Sequence, residues 1–95
     1  MKDEKMICAQ RIAYLRNRIN LKQDEFAAVV SEILHRTEPY PTAIISAWEN
    51  GKETPSKEAA IAMADLFNTS VDYIIGRSNT MNNDIEKNEV FYQKN

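Results

Sequence analysis

Four small side chains on one predicted helix form the surface with the clearest capacity for recognition chemistry. Two hydroxyl groups, those of Thr42 and Ser46, lie four residues apart, and each is followed by an alanine, Ala43 or Ala47. Helical spacing places these four residues away from the buried stripe that Ile45 and Trp48 form. Because the side chains are short, another molecule could approach the helix closely and hydrogen-bond to the hydroxyls. An ordinary surface helix is the alternative interpretation.

Groups that could carry out covalent or metal chemistry are few. Cys8 is the only cysteine and His35 the only histidine, so the usual structural zinc site with four Cys or His ligands is excluded. We expect Cys8 to be a semi-buried apolar residue and His35 to be a surface or turn residue. Gly51 and Gly76 are the only glycines, which excludes a glycine-rich phosphate loop. No catalytic signature is present, and the sequence predicts no enzyme activity, no cofactor and no metal.

The size and charge of the chain limit its class. Its 95 residues predict one domain, and its formal net charge of −2 argues against attachment to nucleic acid by bulk charge. A local basic rim would still suffice for a specific complex. The sequence has no apolar run that could span a bilayer and no signal-peptide pattern. A single cysteine fits a reducing compartment. We therefore expect a soluble, cytoplasmic protein without membrane association.

Apolar spacing predicts an all-α fold of five helices. They span 3–20, 23–35, 42–48, 57–67 and 71–75. Pro41 suits the first position of the third helix, and Asn50-Gly51 ends it. Ser56 and Ser70 cap the last two helices, and Gly76 ends the fifth. The composition becomes polar after Gly76, which predicts a domain over 1–76 and a polar linker and tail over 77–95.

Several short motifs occur in a fixed order along these helices. They are Gln23 with Phe26-Ala27, Ile45-Ser46-Ala47-Trp48-Glu49-Asn50-Gly51-Lys52, Pro55-Ser56, Met63-Ala64, Leu66-Phe67, and Ser70-Val71-Asp72-Tyr73-Ile74-Ile75-Gly76. In this order they resemble the Cro/CI-type helix-turn-helix family, the lambda repressor-like DNA-binding domains and xenobiotic-response-element regulators. The similarity covers about residues 11–76. It implies a five-helix, lambda repressor-like DNA-binding domain.

The resemblance also implies which residues contact DNA. Helix 42–48 would enter the major groove, and the helix from Gln23 to Leu34 would cross the phosphate backbone. The implied base-facing residues are Thr42, Ala43, Ser46 and Ala47. The implied backbone contacts and basic rim are Lys22, Gln23, Asn50 and Lys52. Arg16 matches a family arginine that pairs with Glu49, and we predict a partly buried ion pair between the first and third helices. Two independent solvated charges are the alternative.

Two features depart from the family pattern. The family joins its two DNA-reading helices by a tight turn, whereas this chain carries an insertion over 31–40. This insertion predicts a longer second helix and a wider loop. Either Arg36 in that loop adds a phosphate contact, or the insertion holds the third helix away from DNA. The base-facing positions also lack the long Gln, Asn or Arg side chains that pair strongly with purines, which predicts more reliance on DNA shape. Tyr40 either extends the reading surface or packs internally.

The leading hypothesis is a sequence-specific DNA-binding transcription regulator, a repressor that binds double-stranded DNA as a homodimer. The resemblance implies a bacterial or phage-type cytoplasmic protein, associated with the nucleoid when bound. It also suggests Asp72, Tyr73 and Arg77 as dimer contacts.

The alternative is an antitoxin-like or other protein-interaction module on the same fold. The acidic balance, the insertion and the apolar run Val90-Phe91-Tyr92 favour a protein partner, and we predict that residues 89–93 pack on another surface. A rim of Lys22, Arg36 and Lys52 around the third helix would favour DNA. A rim dominated by Glu32, Glu38 and Glu53 would favour the interaction module.

Overall fold

Five α-helices form the part of the chain that the computed structural model describes, residues 3–79. They are α1 (Glu4–Arg18), α2 (Gln23–Ile33), α3 (Thr42–Glu49), α4 (Lys57–Phe67) and α5 (Val71–Ile74). No strand occurs within these residues, so the predicted all-α, five-helix fold is confirmed. None of these helices is long and apolar enough to cross a membrane.

The helix starts follow the capping residues of the sequence, with one correction. The side chains of Asp3, Ser56 and Ser70 accept backbone N–H groups at the starts of α1, α4 and α5. At α2 the Lys22 N–H donates to Glu25 Oε1 at 2.8 Å. Pro41 is the N-cap of α3, with an extended ψ of 153°, and is not the predicted first helical residue. No side chain caps α3.

The helix ends share one backbone arrangement, which explains why three predicted helices run too far. Each helix is followed by a residue with positive φ: Asn20, His35, Gly51, Asn68 and Gly76. The N–H of the next residue then donates to a carbonyl of the last turn, as Leu21 does to Arg16 and Arg36 does to Ser31. This is the Schellman motif, which satisfies carbonyls that the helix leaves free. The predicted ends at 20, 35 and 75 therefore lie outside the helices, whereas α3 extends one residue beyond 48 to Glu49.

The core lies between all five helices. Its largest fully buried side chains are Phe26, Ile12, Ile45, Met63, Ile74 and Val30. Alanines at four buried positions of α4 let its neighbours approach closely. Cys8 is buried as expected, and burial raises the pKa of its thiol more than nearby Arg11 lowers it, so the thiol stays protonated. His35 is exposed in the turn after α2, also as expected.

The insertion forms an ordered link, here called the α2–α3 connection (residues 34–41). The predicted longer second helix ends at Ile33, and the chain reverses through His35. Ser31 is 3% exposed; its hydroxyl donates to the Ala27 carbonyl at 2.6 Å and accepts the Tyr40 N–H at 2.8 Å. One buried hydroxyl therefore ties the end of the connection to the last turns of α2.

Contacts with the helical body continue past α5 to the end of the described region. Nη1 of Arg11 donates to the carbonyl oxygens of Tyr73 and Ser78, both at 2.6 Å, and its guanidinium lies 4.1 Å from the centre of the Tyr73 ring. Tyr73, which the resemblance suggested as a dimer contact, is thus buried within the protomer, whereas Asp72 and Arg77 are exposed. The predicted contacts of residues 89–93 lie outside the described residues.

Candidate nucleic-acid interface

Helix α3 presents one apolar face to the core and one small polar face outwards. Ile45 is fully buried and Trp48 is 3% exposed. On the other side Thr42 and Ala43 are exposed, and Ser46 and Ala47 are half-buried. The four residues predicted to face DNA bases therefore share the solvent side of an anchored helix. No charged side chain interrupts this face between Thr42 and Trp48.

Glu49, at the C-terminal end of α3, joins three helices. Its Oε2 accepts Arg16 Nε at 2.6 Å, and its Oε1 accepts Arg16 Nη2 at 3.1 Å and Gln23 Nε2 at 3.0 Å. We call these three residues the Glu49 network. The Arg16 and Glu49 side chains are 13% and 7% exposed, so the ion pair is largely removed from water. A bidentate pair of this kind fixes orientation as well as distance.

Arg16 carries the network into the loop between α1 and α2. Its third nitrogen, Nη1, donates to the Leu21 carbonyl at 2.7 Å. The hydrogen bond to Glu49 raises the pKa of Arg16, outweighing the opposing effect of partial burial. The guanidinium therefore remains charged at neutral pH. The end of α1, the start of α2 and the end of α3 are thereby held in one fixed relation.

Gln23 lies at the start of α2 as predicted, but much of its amide is already used. One N–H of its Nε2 is directed at Glu49. In the first turn of α2 the Glu25 N–H donates to Asp24 Oδ1 at 2.9 Å. The backbone N–H groups of Gln23 and Asp24 and the second N–H of Gln23 Nε2 have no acceptor among residues 3–79 and remain for an anion. The predicted phosphate contact of Gln23 thus has fewer side-chain donors than the sequence suggested. Nothing in the sequence connects Gln23 with Glu49, since the two residues lie on different helices and the family resemblance implies only a DNA contact for Gln23.

The remaining predicted contacts lie just beyond the ends of α2 and α3. Lys22 is exposed at the N-cap of α2. Asn50 is exposed and its Nδ2 donates to Ser46 Oγ at 3.2 Å, which leaves the Ser46 proton available for another acceptor. Lys52 is exposed, and its backbone N–H donates to the Ala47 carbonyl in the turn that ends α3. The turn at Gly51 therefore fixes the backbone from which Asn50 and Lys52 project.

Charged residues of both signs lie in the segments next to α3 in the chain and at the two ends of α2. Arg36 and Glu38 lie in the connection that precedes the helix, and Lys52 and Glu53 follow it. Lys22 and Glu32 lie at opposite ends of α2. These segments thus carry three cations and three carboxylates, and by number neither the basic nor the acidic set considered from the sequence is larger. Any attraction to phosphate must come from a few placed groups.

Aromatic contacts join the segment before α3 to Trp48 near the C-terminal end of that helix. The Tyr40 ring meets the Trp48 ring edge-on, with centroids 5.4 Å apart. The Arg36 guanidinium lies 3.9 Å from the centre of the Tyr40 ring. Of the two interpretations of Tyr40, the structure shows internal packing on Trp48. The position of Tyr40 between two prolines was the only sequence signal for this support, and nothing in the sequence connected Ser31 to it.

Comparison with known proteins gives one match. Residues 40–74 match the family model described as helix-turn-helix, which is the Cro/CI/XRE type and confirms the resemblance. The matched segment begins at Tyr40 and covers α3, α4 and α5, so it starts beyond the insertion. The family is one of DNA-binding transcription regulators and is typically non-enzymatic. No curated protein and no solved structure matches the chain.

Proposed function

Because residues 40–74 are a helix-turn-helix segment of the Cro/CI/XRE type, we propose that this protein is a sequence-specific transcription repressor that reads the major groove with α3. The observation that carries the proposal is the outward face of α3. Small residues form this face, while Ile45, Trp48 and Glu49 anchor the same helix from behind. A recognition element held by packing and hydrogen bonds loses little freedom on binding.

The chemistry of this face defines the kind of sequence it would read. Thr42 and Ser46 can donate to or accept from several base edges, and Ala43 and Ala47 can contact only the methyl groups of thymine. Short side chains also require the helix to lie deep in the groove. Discrimination between sequences would then depend partly on how readily the DNA adapts its shape.

Backbone contacts would set the register of α3 on the duplex. Lys22 and Gln23 at the start of α2 would contact one side of the groove, and Asn50 and Lys52 after α3 would contact the other. The Glu49 network links these two groups because Gln23 and Glu49 share a hydrogen bond. Such contacts position the protein without reading sequence.

A homodimer would bring two copies of α3 onto one operator. A single helix of eight residues reads few base pairs. Two half-sites about 34–36 Å apart, one turn of DNA, would combine the contacts of both. We assign DNA binding to residues 1–76 and treat 77–95 as a linker and tail.

Fluorescence anisotropy with duplexes from around the protein's own coding region, over a salt series, tests this function. We expect saturable binding at one sequence that resists competitor DNA and weakens as salt rises. Thr42→Ala and Ser46→Ala should each weaken that complex about three- to tenfold, since a neutral hydrogen bond contributes about 0.5–1.5 kcal/mol.

Thr54→Ala is the matched control, because Thr54 is an exposed hydroxyl that lies against α1 and Ile75 and away from the α3 face. It should bind as the wild type does. Weak, sequence-independent binding at low salt alone would contradict the proposal. In that case the alternative, an antitoxin-like or other protein-interaction module, would be the function to pursue.

A further inference from the structure

Both the backbone and the side chain of Arg36, in the α2–α3 connection, make hydrogen bonds within the protein. Its backbone N–H donates to the Ser31 carbonyl at 3.0 Å in the turn that ends α2. Its Nε donates to the Glu38 carbonyl at 3.0 Å, and its guanidinium lies over the Tyr40 ring. An arginine stacked in this way has lost most of its side-chain freedom before any ligand arrives.

The ring under Arg36 is itself fixed from the core. The Tyr40 N–H donates to the buried Ser31 hydroxyl, and the Tyr40 ring meets Trp48 of α3. The guanidinium therefore rests on a series of contacts that starts in α2 and ends in α3. Its position relative to α3 is set by packing, although the residue lies in a loop.

The terminal nitrogens of Arg36 are available. Within residues 3–79 no carboxylate or carbonyl accepts a hydrogen bond from Nη1 or Nη2 of Arg36. Arg36 lines an open groove of about 510 Å³ together with Leu34, Tyr40, Ser56 and Glu58. The Glu58 carboxylate makes no ion pair with Arg36. A planar fork with free donors matches the oxygen atoms of a phosphate.

The Arg36 guanidinium stacks on a residue that lies close to α3 in the chain. Tyr40 precedes Thr42 by two residues, and Thr42 begins α3. The Tyr40 ring under the Arg36 guanidinium in turn contacts Trp48 of α3, the helix that the proposed function places in the major groove. Phosphates line the edges of that groove.

We propose that Arg36 binds a DNA backbone phosphate at the edge of the groove that α3 enters, which makes the α2–α3 connection a second DNA-contacting segment. This inference rests on the proposed function. It assigns the insertion a role in affinity: the connection adds one fixed cation to a rim in which Lys22 and Lys52 alone would be outnumbered by Glu32, Glu38 and Glu53.

Arg36→Gln, compared with Arg18→Gln, tests the inference in the same salt series. Both arginines lie over a tyrosine, Arg36 over Tyr40 and Arg18 over Tyr14. Arg18 lies beside Leu66 and Phe67 at the C-terminal end of α4, whereas Arg36 lies beside Ser56 before its start. The two variants remove the same charge at opposite ends of this helix.

We expect Arg36→Gln to weaken the operator complex about tenfold, as the loss of a charge-assisted hydrogen bond would. The slope of log K against log salt should become shallower by about 0.9 for each protomer bound. Arg18→Gln should keep the wild-type slope. Arg36→Lys, which retains the charge without the planar fork, should recover most of the slope and only part of the affinity.

The slope separates a phosphate contact from a structural role. If Arg36→Gln lowers affinity but leaves the slope unchanged, Arg36 acts by holding the connection, and the inference is overturned. An unchanged affinity and slope would overturn it as well, while leaving the function of α3 intact. If the wild-type protein shows no saturable site on any duplex, the proposed function fails and the inference fails with it.

Discussion

The Glu49 carboxylate shows how a single residue can set the relation of three helices. Its two oxygens accept three hydrogen bonds from Arg16 and Gln23, and the ion pair is largely buried. Such a pair is weak evidence for net stability, because removing both charges from water is unfavourable. Its effect is one of geometry, since any shift of α3 against α1 would break a bidentate contact.

Arg16→Met should lower the free energy of unfolding by about 2–4 kcal/mol, because it leaves the Glu49 carboxylate in a site that is mostly closed to water. Chemical denaturation followed by circular dichroism measures the change. The double variant Arg16→Met/Glu49→Gln is the control, and it should recover part of the loss since no unpaired charge remains. A loss well under about 1 kcal/mol in the single variant would show that the two charges are independently solvated.

The ion pair between Arg16 and Glu49 was predicted only through the family resemblance. Nothing in the spacing of Arg16 and Glu49, which lie on different helices, shows that they meet. The third partner was missed for the same reason, as Gln23 was assigned to DNA. The outward residues of α3 were predictable, because a buried stripe of Ile45 and Trp48 leaves only the remaining positions for solvent.

At the level of elements, backbone turns decide where the helices end. All five described helices end in a Schellman motif, and three of the left-handed positions are not glycine: Asn20, His35 and Asn68. Asparagine and histidine both adopt this conformation more often than most residues, but only the short asparagine side chain hydrogen-bonds locally to stabilise it. Hydrophobic periodicity carries no information on these turns, and the predicted ends of α1, α2 and α5 were therefore too late.

His35→Gly should stabilise the protein by about 0.5–1 kcal/mol, because glycine adopts φ near 56° without a side-chain clash. Part of that gain is offset by the greater freedom of glycine in the unfolded chain. Thermal unfolding of the variant beside Asn20→Gly provides the comparison. The gain should be smaller at position 20, where asparagine already tolerates the same conformation. A lower unfolding temperature for His35→Gly would show that the imidazole contributes contacts that outweigh the backbone strain.

The α2–α3 connection was the element that sequence reasoning could describe least. Its presence was evident from the length of the chain between the motifs of α2 and α3. Its order depends on Ser31, a residue of α2 whose hydroxyl happens to face Tyr40. Long-range hydrogen bonds of this kind follow from the folded arrangement and not from local pattern.

For the whole molecule, balanced charge is the dominant physical property. The net charge is −2, and the cations near α3 are matched by carboxylates. A protein of this kind cannot accumulate on DNA by electrostatic attraction alone. Specific contacts must then supply a larger share of its affinity than in a strongly basic binding protein.

Binding to a random-sequence duplex at physiological salt should therefore be weak, with Kd about 10⁻⁴ M, at the weak end of the range for non-specific complexes. Glu53→Gln should tighten it several-fold, since it removes a carboxylate next to Lys52. Asp65→Asn, an exposed carboxylate near the end of α4, is the control and should leave it unchanged. Equal effects of the two substitutions, measured by anisotropy, would show that total charge governs binding and that position does not.

Different residues of α3 anchor the helix and face the solvent, and this division affects which substitutions the protein can accept. Trp48 and Glu49 hold the helix, whereas Thr42 and Ala43 have no side-chain hydrogen bond or ion pair among the described residues. Substitutions at those two exposed positions leave folding nearly unaffected, as surface changes usually do. Under the proposed function, the preferred DNA sequence would therefore be free to change, by mutation or by design, while the scaffold stays constant. A lineage built on this scaffold would diversify first in the targets it recognises and last in its fold.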